Sequence, residues 1–264
     1  SYVSLDTGVI NDNINIQNLY KATKLDEKMN PYNTRRECRD SEDHPNTIPV
    51  ILALDVTGSM GKSAAECARK LNQICTNIIE KNQDVEIMVM GIGDFYCDNA
   101  PLQVGQFEAD VRIAEWLDRI WLEYGGGGNC YESYSAAWLY GLRKCDLDCW
   151  SKGRKGVIIT MGDEPLNPYI PKSMWNKYVG DTLEADMETP ELYEMAAEKF
   201  DIYHIAVNDE SNSFSFYEHI IDKTFGELLK DHLIKTTIEN LPDTIADIVN
   251  KEHQTCYGMP VISW

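Results

Sequence analysis

The stretch Pro49-Val50-Ile51-Leu52-Ala53-Leu54-Asp55-Val56-Thr57-Gly58-Ser59-Met60-Gly61 decides how the rest of the chain is read. Its first half is apolar at consecutive positions instead of alternating, the pattern of a central strand covered by helices on both faces. Beyond it, Ala64, Cys67, Ala68, Leu71, Ile74, Cys75, Ile78 and Ile79 recur at three- and four-residue spacing, which predicts a long helix with these side chains on its buried face. Between strand and helix, Asp55, Thr57 and Ser59 alternate on a tight loop, so that three oxygens face one point while Gly58 permits the bend.

The same alternation continues outward. Val85 to Ile92 reads as a strand, and Leu102 to Phe107 as a shorter one joined to it through the turn-like segment 94–101, a hairpin at the sheet edge. Ala109, Ile113, Trp116, Leu117, Ile120 and Trp121 mark a helix that stops before the glycine run 125–128, and another helix is expected over Tyr131–Arg143. Gly156 to Met161 is again continuously apolar and runs into Gly162-Asp163. A proline-bearing connection, 164–189, leads to a helix at 190–199 and a strand at 202–207. A helix over 216–229, a strand over 232–236 and a helix opened by Asn240, Pro242 and Asp243 complete the order. The fold class is therefore α/β: a doubly wound, mostly parallel central sheet with helices on both faces and one antiparallel edge strand. Residues 1–46 are polar, rich in Asn and Asp, and read as an N-terminal extension; 47–253 form the domain, with an insertion at about 164–189, and 254–264 a tail.

Composition limits what this domain can do. The 264 residues carry 43 acidic and 24 basic side chains, a formal charge of −19. Such a field repels phosphate backbones, so no nucleic-acid partner is expected, and a bound cation suits the chain better. No apolar run reaches the length of a bilayer, so no membrane role is expected. Of the eight cysteines, Cys67 and Cys75 lie on the helix stripe as small hydrophobes, while Cys145 and Cys149 have no matching Cys or His pair that would complete a zinc site. Without a basic start and apolar core at the N-terminus, a reducing, cytoplasmic compartment is expected.

In doubly wound sheets ligands gather beyond the carboxyl ends of the strands, which is where Asp55 and Asp163 fall. The glycine run ending at Asn129 is expected to fold over the same edge. Asp55, Thr57, Ser59, Asn129 and Asp163 together offer only oxygen donors, which selects Mg²⁺, with Mn²⁺ or Ca²⁺ as alternatives. Two carboxylates neutralise a divalent ion, and one of the waters that Mg²⁺ retains can be displaced by a partner's carboxylate. That would be binding without turnover, so no enzymatic activity is expected.

An apolar strand followed by Asp-x-Ser/Thr-x-Ser resembles the metal-ion-dependent adhesion motif of von Willebrand factor A (vWA) domains. The run Gly125-Gly126-Gly127-Gly128-Asn129-Cys130-Tyr131-Glu132 resembles the Gly-rich loop of intracellular prokaryotic and kinase-linked members, and Asp163 follows a later central strand in the family's order. The resemblance implies a Rossmann-like fold, a metal held by those five residues, and an acidic side chain of another protein completing its shell. Thr57 replaces the usual Ser and keeps the hydroxyl; Asn129 stands where Thr or Asp is usual.

Two other functions fit parts of the pattern. Asp55-Val56-Thr57-Gly58-Ser59 also resembles the nucleophile loop of haloacid-dehalogenase-type phosphotransferases, with Asp55 accepting phosphate, yet the second Asp expected just after Asp163 is missing. A structural component without a working metal site is the third. As candidate partner contacts we single out Asp94, beside the site, and Tyr169, Trp175 and Tyr178 of the 164–189 segment. The alternatives are that Asp94 caps its turn and that the aromatics pack onto their own domain.

Overall fold

The computed structural model describes residues 22–82, 84–110, 112–124 and 131–257. Its centre is a six-stranded sheet in the order β10-β9-β6-β2-β3-β4. The strands are β2 (Ile48–Asp55), β3 (Val85–Ile92), β4 (Leu102–Val104), β6 (Gly156–Gly162), β9 (Phe200–Asn208) and β10 (Leu233–Thr237). All pair in parallel except β4, which runs antiparallel to β3 at the edge.

Every residue of β2 is buried because the strand feeds two cores at once. Val50, Leu52 and Leu54 face one layer with α1 (Lys62–Lys81), α2 (Arg112–Arg119) and α7 (Leu241–Tyr257). Ile51 and Ala53 face the other, with α3 (Ser135–Lys144), α5 (Thr189–Ala197) and α6 (Phe214–Leu229). A strand's side chains alternate faces, so only a strand sandwiched between helices tolerates apolar residues at both parities. The stripe Ala64, Cys67, Ala68, Leu71, Ile74, Cys75 and Ile78 of α1 is buried as its spacing predicts. The fold class read from the sequence is the one observed.

Two regions carry more structure than their sequence announces. In the N-terminal segment, β1 (Arg36–Cys38) pairs in parallel with β5 (Cys145–Leu147), which directly follows α3. Met29 and Cys38 are buried, and Thr34 Oγ1 lies 2.8 Å from the Tyr140 hydroxyl. A three-residue strand of sequence Arg-Glu-Cys is too short and too polar to show an apolar alternation.

The connection read as 164–189 holds a helix, α4 (Lys172–Val179), between β7 (Tyr169–Ile170) and β8 (Met187–Glu188), which pair antiparallel. Trp175 of α4 is 0% exposed; its ring lies 6.1 Å from that of Phe95, and its Nε1–H donates to Asp181 Oδ2 at 3.0 Å. The Arg143 guanidinium beside Asp181 holds that carboxyl well below the usual carboxylate range. As a candidate partner contact Trp175 is therefore corrected: its surface is spent on the domain's own core. Tyr178 stays half-buried, edge-on to Phe95, with its hydroxyl 3.4 Å from the Asp98 carbonyl.

Candidate metal centre

Parallel pairing brings the ends of neighbouring strands to one edge, and there the sequence places carboxylates. Leu54 pairs with Met161 and Asp55 with Ile92, so Asp163, Asp55 and Asp94 leave β6, β2 and β3 side by side. The turn into α1 takes its left-handed conformation at Gly61 (φ 51°), where a Cβ would stand 2.8 Å from the Ser211 carbonyl oxygen. Gly58, the expected bend residue, has no positive φ. The loop needs its glycine at the helix entrance, where the backbones of two loops meet.

The oxygens converge as a chain. Asp55 Oδ1 accepts from the Thr57 amide (2.9 Å) and hydroxyl (2.6 Å), and Thr57 Oγ1 lies 3.0 Å from Ser59 Oγ. Ser59 in turn donates to Asp163 Oδ1 at 3.1 Å. The other carboxylate oxygens are held from behind: Tyr134 donates to Asp55 Oδ2 at 2.6 Å, and the Ser213 amide, at the start of α6, donates to Asp163 Oδ2 at 2.6 Å. Asp55, Thr57 and Asp163 are buried and Ser59 is half-buried, the last facing the opening. Four of the five expected ligands are thus brought together. Asn129 and the glycines before it lie outside the described residues.

Sequence reasoning missed the surroundings. Glu164 and Glu132 are buried at the same edge, as are Asp94 and Asp98. Among the described residues none of these carboxylates, nor Asp55 or Asp163, forms an ion pair with Lys, Arg or His. Burial, and then the charge of Asp163, push Asp55 up to about 7. Burial with the charges of Asp55 and Asp163 pushes Glu164 up to about 8, and burial raises Asp163 and Glu132 as well. Carboxylates concentrated in a dry site without a counter-charge titrate this way, and a cation among them would reverse it. In the sequence Tyr134 is only an aromatic at a helix start, and its distance from Asp55 along the chain hides the contact.

The donor set fits a hard cation: Asp55, Thr57, Ser59 and Asp163 supply oxygens only. Among the described residues no three His, Cys, Asp or Glu side chains converge to hold a metal by themselves, so the hydroxyls of Thr57 and Ser59 would be needed. Asp94 has a split role. Its Oδ1 accepts the Tyr96 amide at 3.0 Å, which caps the turn, whereas its buried Oδ2 has no hydrogen-bond partner among the described residues.

No protein-family model matches the chain. A stretch of 88 residues is 33% identical to the tRNA uridine(34) hydroxylase of Prochlorococcus marinus, covering 31% of this chain and 26% of that protein. Among solved structures, the pilus adhesin SpaC of Lactobacillus rhamnosus GG, in its open conformation, is similar with a TM-score of 0.57 at 10% identity, over 85% of this chain and 31% of that one. The vWF domain of the type V pili tip protein Mfa5 from Porphyromonas gingivalis matches with a TM-score of 0.50 at 11% identity, over 78% of this chain and 95% of that domain. The fold is that of a von Willebrand factor A-type domain. The chain spans about a third of SpaC and about a quarter of the hydroxylase, so their activities as whole proteins do not transfer with the likeness.

Proposed function

We propose that this vWA-fold chain is an adhesion-type protein-binding module, in which Asp55, Thr57, Ser59 and Asp163 hold a divalent cation and an acidic side chain of the partner completes its shell. The observation that carries this reading is the run of oxygens from Asp55 through Thr57 and Ser59 to Asp163, in steps of 2.6, 3.0 and 3.1 Å with two hydroxyl protons for three contacts, reaching the opening at Ser59. When bound, Mg²⁺ would supply a positive charge that neutralises the two carboxylates and attracts a third; Mn²⁺ and Ca²⁺ are the alternatives. Tyr134 and the Ser213 amide orient the two carboxylates, a role that partners behind a ligand commonly play. Asn129 is proposed as a further donor.

Binding suits this geometry better than catalysis does. Asp55 is wholly buried and both its oxygens accept hydrogen bonds, so neither is poised to attack a phosphoryl group. The two solved structures named above come from pili and one is described as an adhesin, which supports an adhesive use.

Thermal unfolding with and without metal tests the reading. A ligand at a hundred times its Kd adds about 2.7 kcal/mol, so Mg²⁺ or Mn²⁺ should raise Tm in the parent and leave Asp55→Ala unmoved. If Asp55→Ala responds to metal as the parent does, or neither responds, the metal centre is wrong. Partner capture that persists in chelator would remove the metal from the binding step.

A further inference from the structure

The spacing of the metal loop occurs a second time in the chain. Asp209-Glu210-Ser211-Asn212-Ser213 follows β9 and runs into α6, as Asp55-Val56-Thr57-Gly58-Ser59 follows β2 and runs into α1. The local geometry repeats as well: Asp209 Oδ1 accepts the Ser211 amide at 2.9 Å and its hydroxyl at 2.5 Å, where Asp55 Oδ1 accepts those of Thr57 at 2.9 and 2.6 Å. An aspartate that bonds the backbone two residues on fixes such a turn. The second loop is used differently, however: its last amide, that of Ser213, is turned on the first centre and donates to Asp163 Oδ2.

This loop is fastened to the start of α1. Ser63, buried in the first turn of that helix and four residues beyond Ser59, donates to Asp209 Oδ1 at 3.0 Å, and its Oγ lies 3.1 Å from Ser211 Oγ. Asn212 ties the far side of the loop to its own strand, donating to the Val207 carbonyl at 2.9 Å and accepting from the Phe214 amide at 3.1 Å. The contacts close a ring: Ser59 to Asp163, Asp163 to the Ser213 amide, the 209–213 loop to Ser63, and Ser63 back along α1 to Ser59. Asp163 is therefore gripped between two loops that are themselves joined, which restrains its carboxylate relative to Asp55. Cations differ in how much they need such restraint: Mg²⁺ demands near-ideal octahedral geometry with short bonds, whereas Ca²⁺ accepts longer bonds and a flexible shell.

We propose that the Ser63–Asp209 brace sets the metal preference of the centre: by holding the Ser213 amide on Asp163 it keeps the two carboxylates in a rigid arrangement that favours Mg²⁺ over Ca²⁺. Ser63 and Asp209 are thus positioning residues that act through Ser213 and Asp163 and lie outside the donor set. The proposal rests on the metal-binding reading above and deepens it by naming the residues that choose the cation.

Two measurements on the whole chain test it. In EDTA, hydrogen exchange of the Ser213 amide, followed by NMR, reports on the brace without any metal: Ser63→Ala, which takes away one oxygen, and Asp209→Ala should each speed it about tenfold or more, the mark of a local opening. Calorimetric titrations with MgCl₂ and CaCl₂ report on the ion. Ser63→Ala should weaken Mg²⁺ about tenfold, the lower end of what losing a supporting contact costs, and Ca²⁺ by less, so the Mg²⁺-to-Ca²⁺ affinity ratio falls. Asp209→Asn keeps the accepting oxygen and should stay near the parent in both measurements. Thr34→Ala removes a hydroxyl contact with Tyr140 in the N-terminal segment and should leave the ratio unchanged. Unchanged Ser213 exchange in both alanine variants overturns the brace, as does an Asp209→Asn variant no better than Asp209→Ala. A ratio that holds or rises in Ser63→Ala, or falls equally in Thr34→Ala, overturns its part in metal choice. A parent that binds neither ion sinks the metal centre and the metal choice with it, whereas a parent that binds both while the variants keep its ratio sinks the brace alone.

Discussion

Replacing Tyr134 with phenylalanine removes a single oxygen from the interior, and the structure says what that oxygen does. The ring is fully buried, 4.8 Å from His204 and 5.6 Å from Phe225 between centroids, so phenylalanine keeps the packing. Lost is the hydrogen bond to Asp55 Oδ2 at 2.6 Å, together with a long one of 3.4 Å from the Glu164 amide. A hydrogen bond to a charged group contributes about 1.5–3 kcal/mol. For a domain of this size each kcal/mol moves Tm by about 2–4 °C, so a loss near 2 kcal/mol should lower Tm by about 4–8 °C. The effect should be largest near pH 8, above the value of about 7 to which Asp55 is raised, where its carboxylate is ionised. Differential scanning calorimetry in EDTA measures it. In Mg²⁺ titrations the same variant should bind roughly 10–100-fold more weakly, the usual effect of losing a group that orients a ligand. An unchanged Tm together with unchanged metal affinity would refute the claim that Tyr134 holds Asp55 in place.

Three further outcomes follow from the same geometry. In EDTA, stability should fall as pH rises from about 6.5 to 8: folded Glu164, raised to about 8, and Asp55, raised to about 7, keep protons that the unfolded chain has released, while His204, lowered to about 3, opposes this slightly because its unfolded imidazole is half-protonated at about pH 6.5. One proton over roughly one and a half pH units corresponds to about 2 kcal/mol, and denaturant melts that are flat or rise with pH would contradict it. Gly162→Ala should damage both fold and site, because a Cβ there overlaps the Tyr134 hydroxyl and stands 2.8 Å from Asp55 Oδ2; a variant with parental Tm and metal response would show that the site has room to give. Trp175→Ala should cost about 3–5 kcal/mol through the cavity it leaves, whereas Phe216→Ala, at a ring 78% exposed, should stay within about 0.5 kcal/mol in urea melts.

Much of the architecture was legible because it is written in local periodicity. The continuous apolar runs of β2 and β6 and the stripe of α1 identify a sandwiched parallel sheet without knowledge of any contact. The antiparallel edge strand was readable from its turn, although it is shorter than its apolar run suggests, ending at Val104. What escaped was short or held by distant partners. The three-residue β1 exists only because β5 lies beside it, and α4 owes its place to a tryptophan docking on Phe95.

The site divides in the same way. Sequence alone determined which oxygens lie on the strand-to-helix loop and that Asp163 follows another strand, because spacing along a chain sets which side chains share a turn or a strand end. Only the tertiary structure decided that Asp55 and Asp163 are joined through Ser59, and that Tyr134, 79 residues away, closes the back of the loop. It also decided that Glu132 and Glu164 crowd the same edge and that Trp175 faces inward. The reason is physical: these facts depend on which strands neighbour one another and on which groups are thereby stripped of water. Both are properties of long-range packing, and neither leaves a periodic trace in the chain.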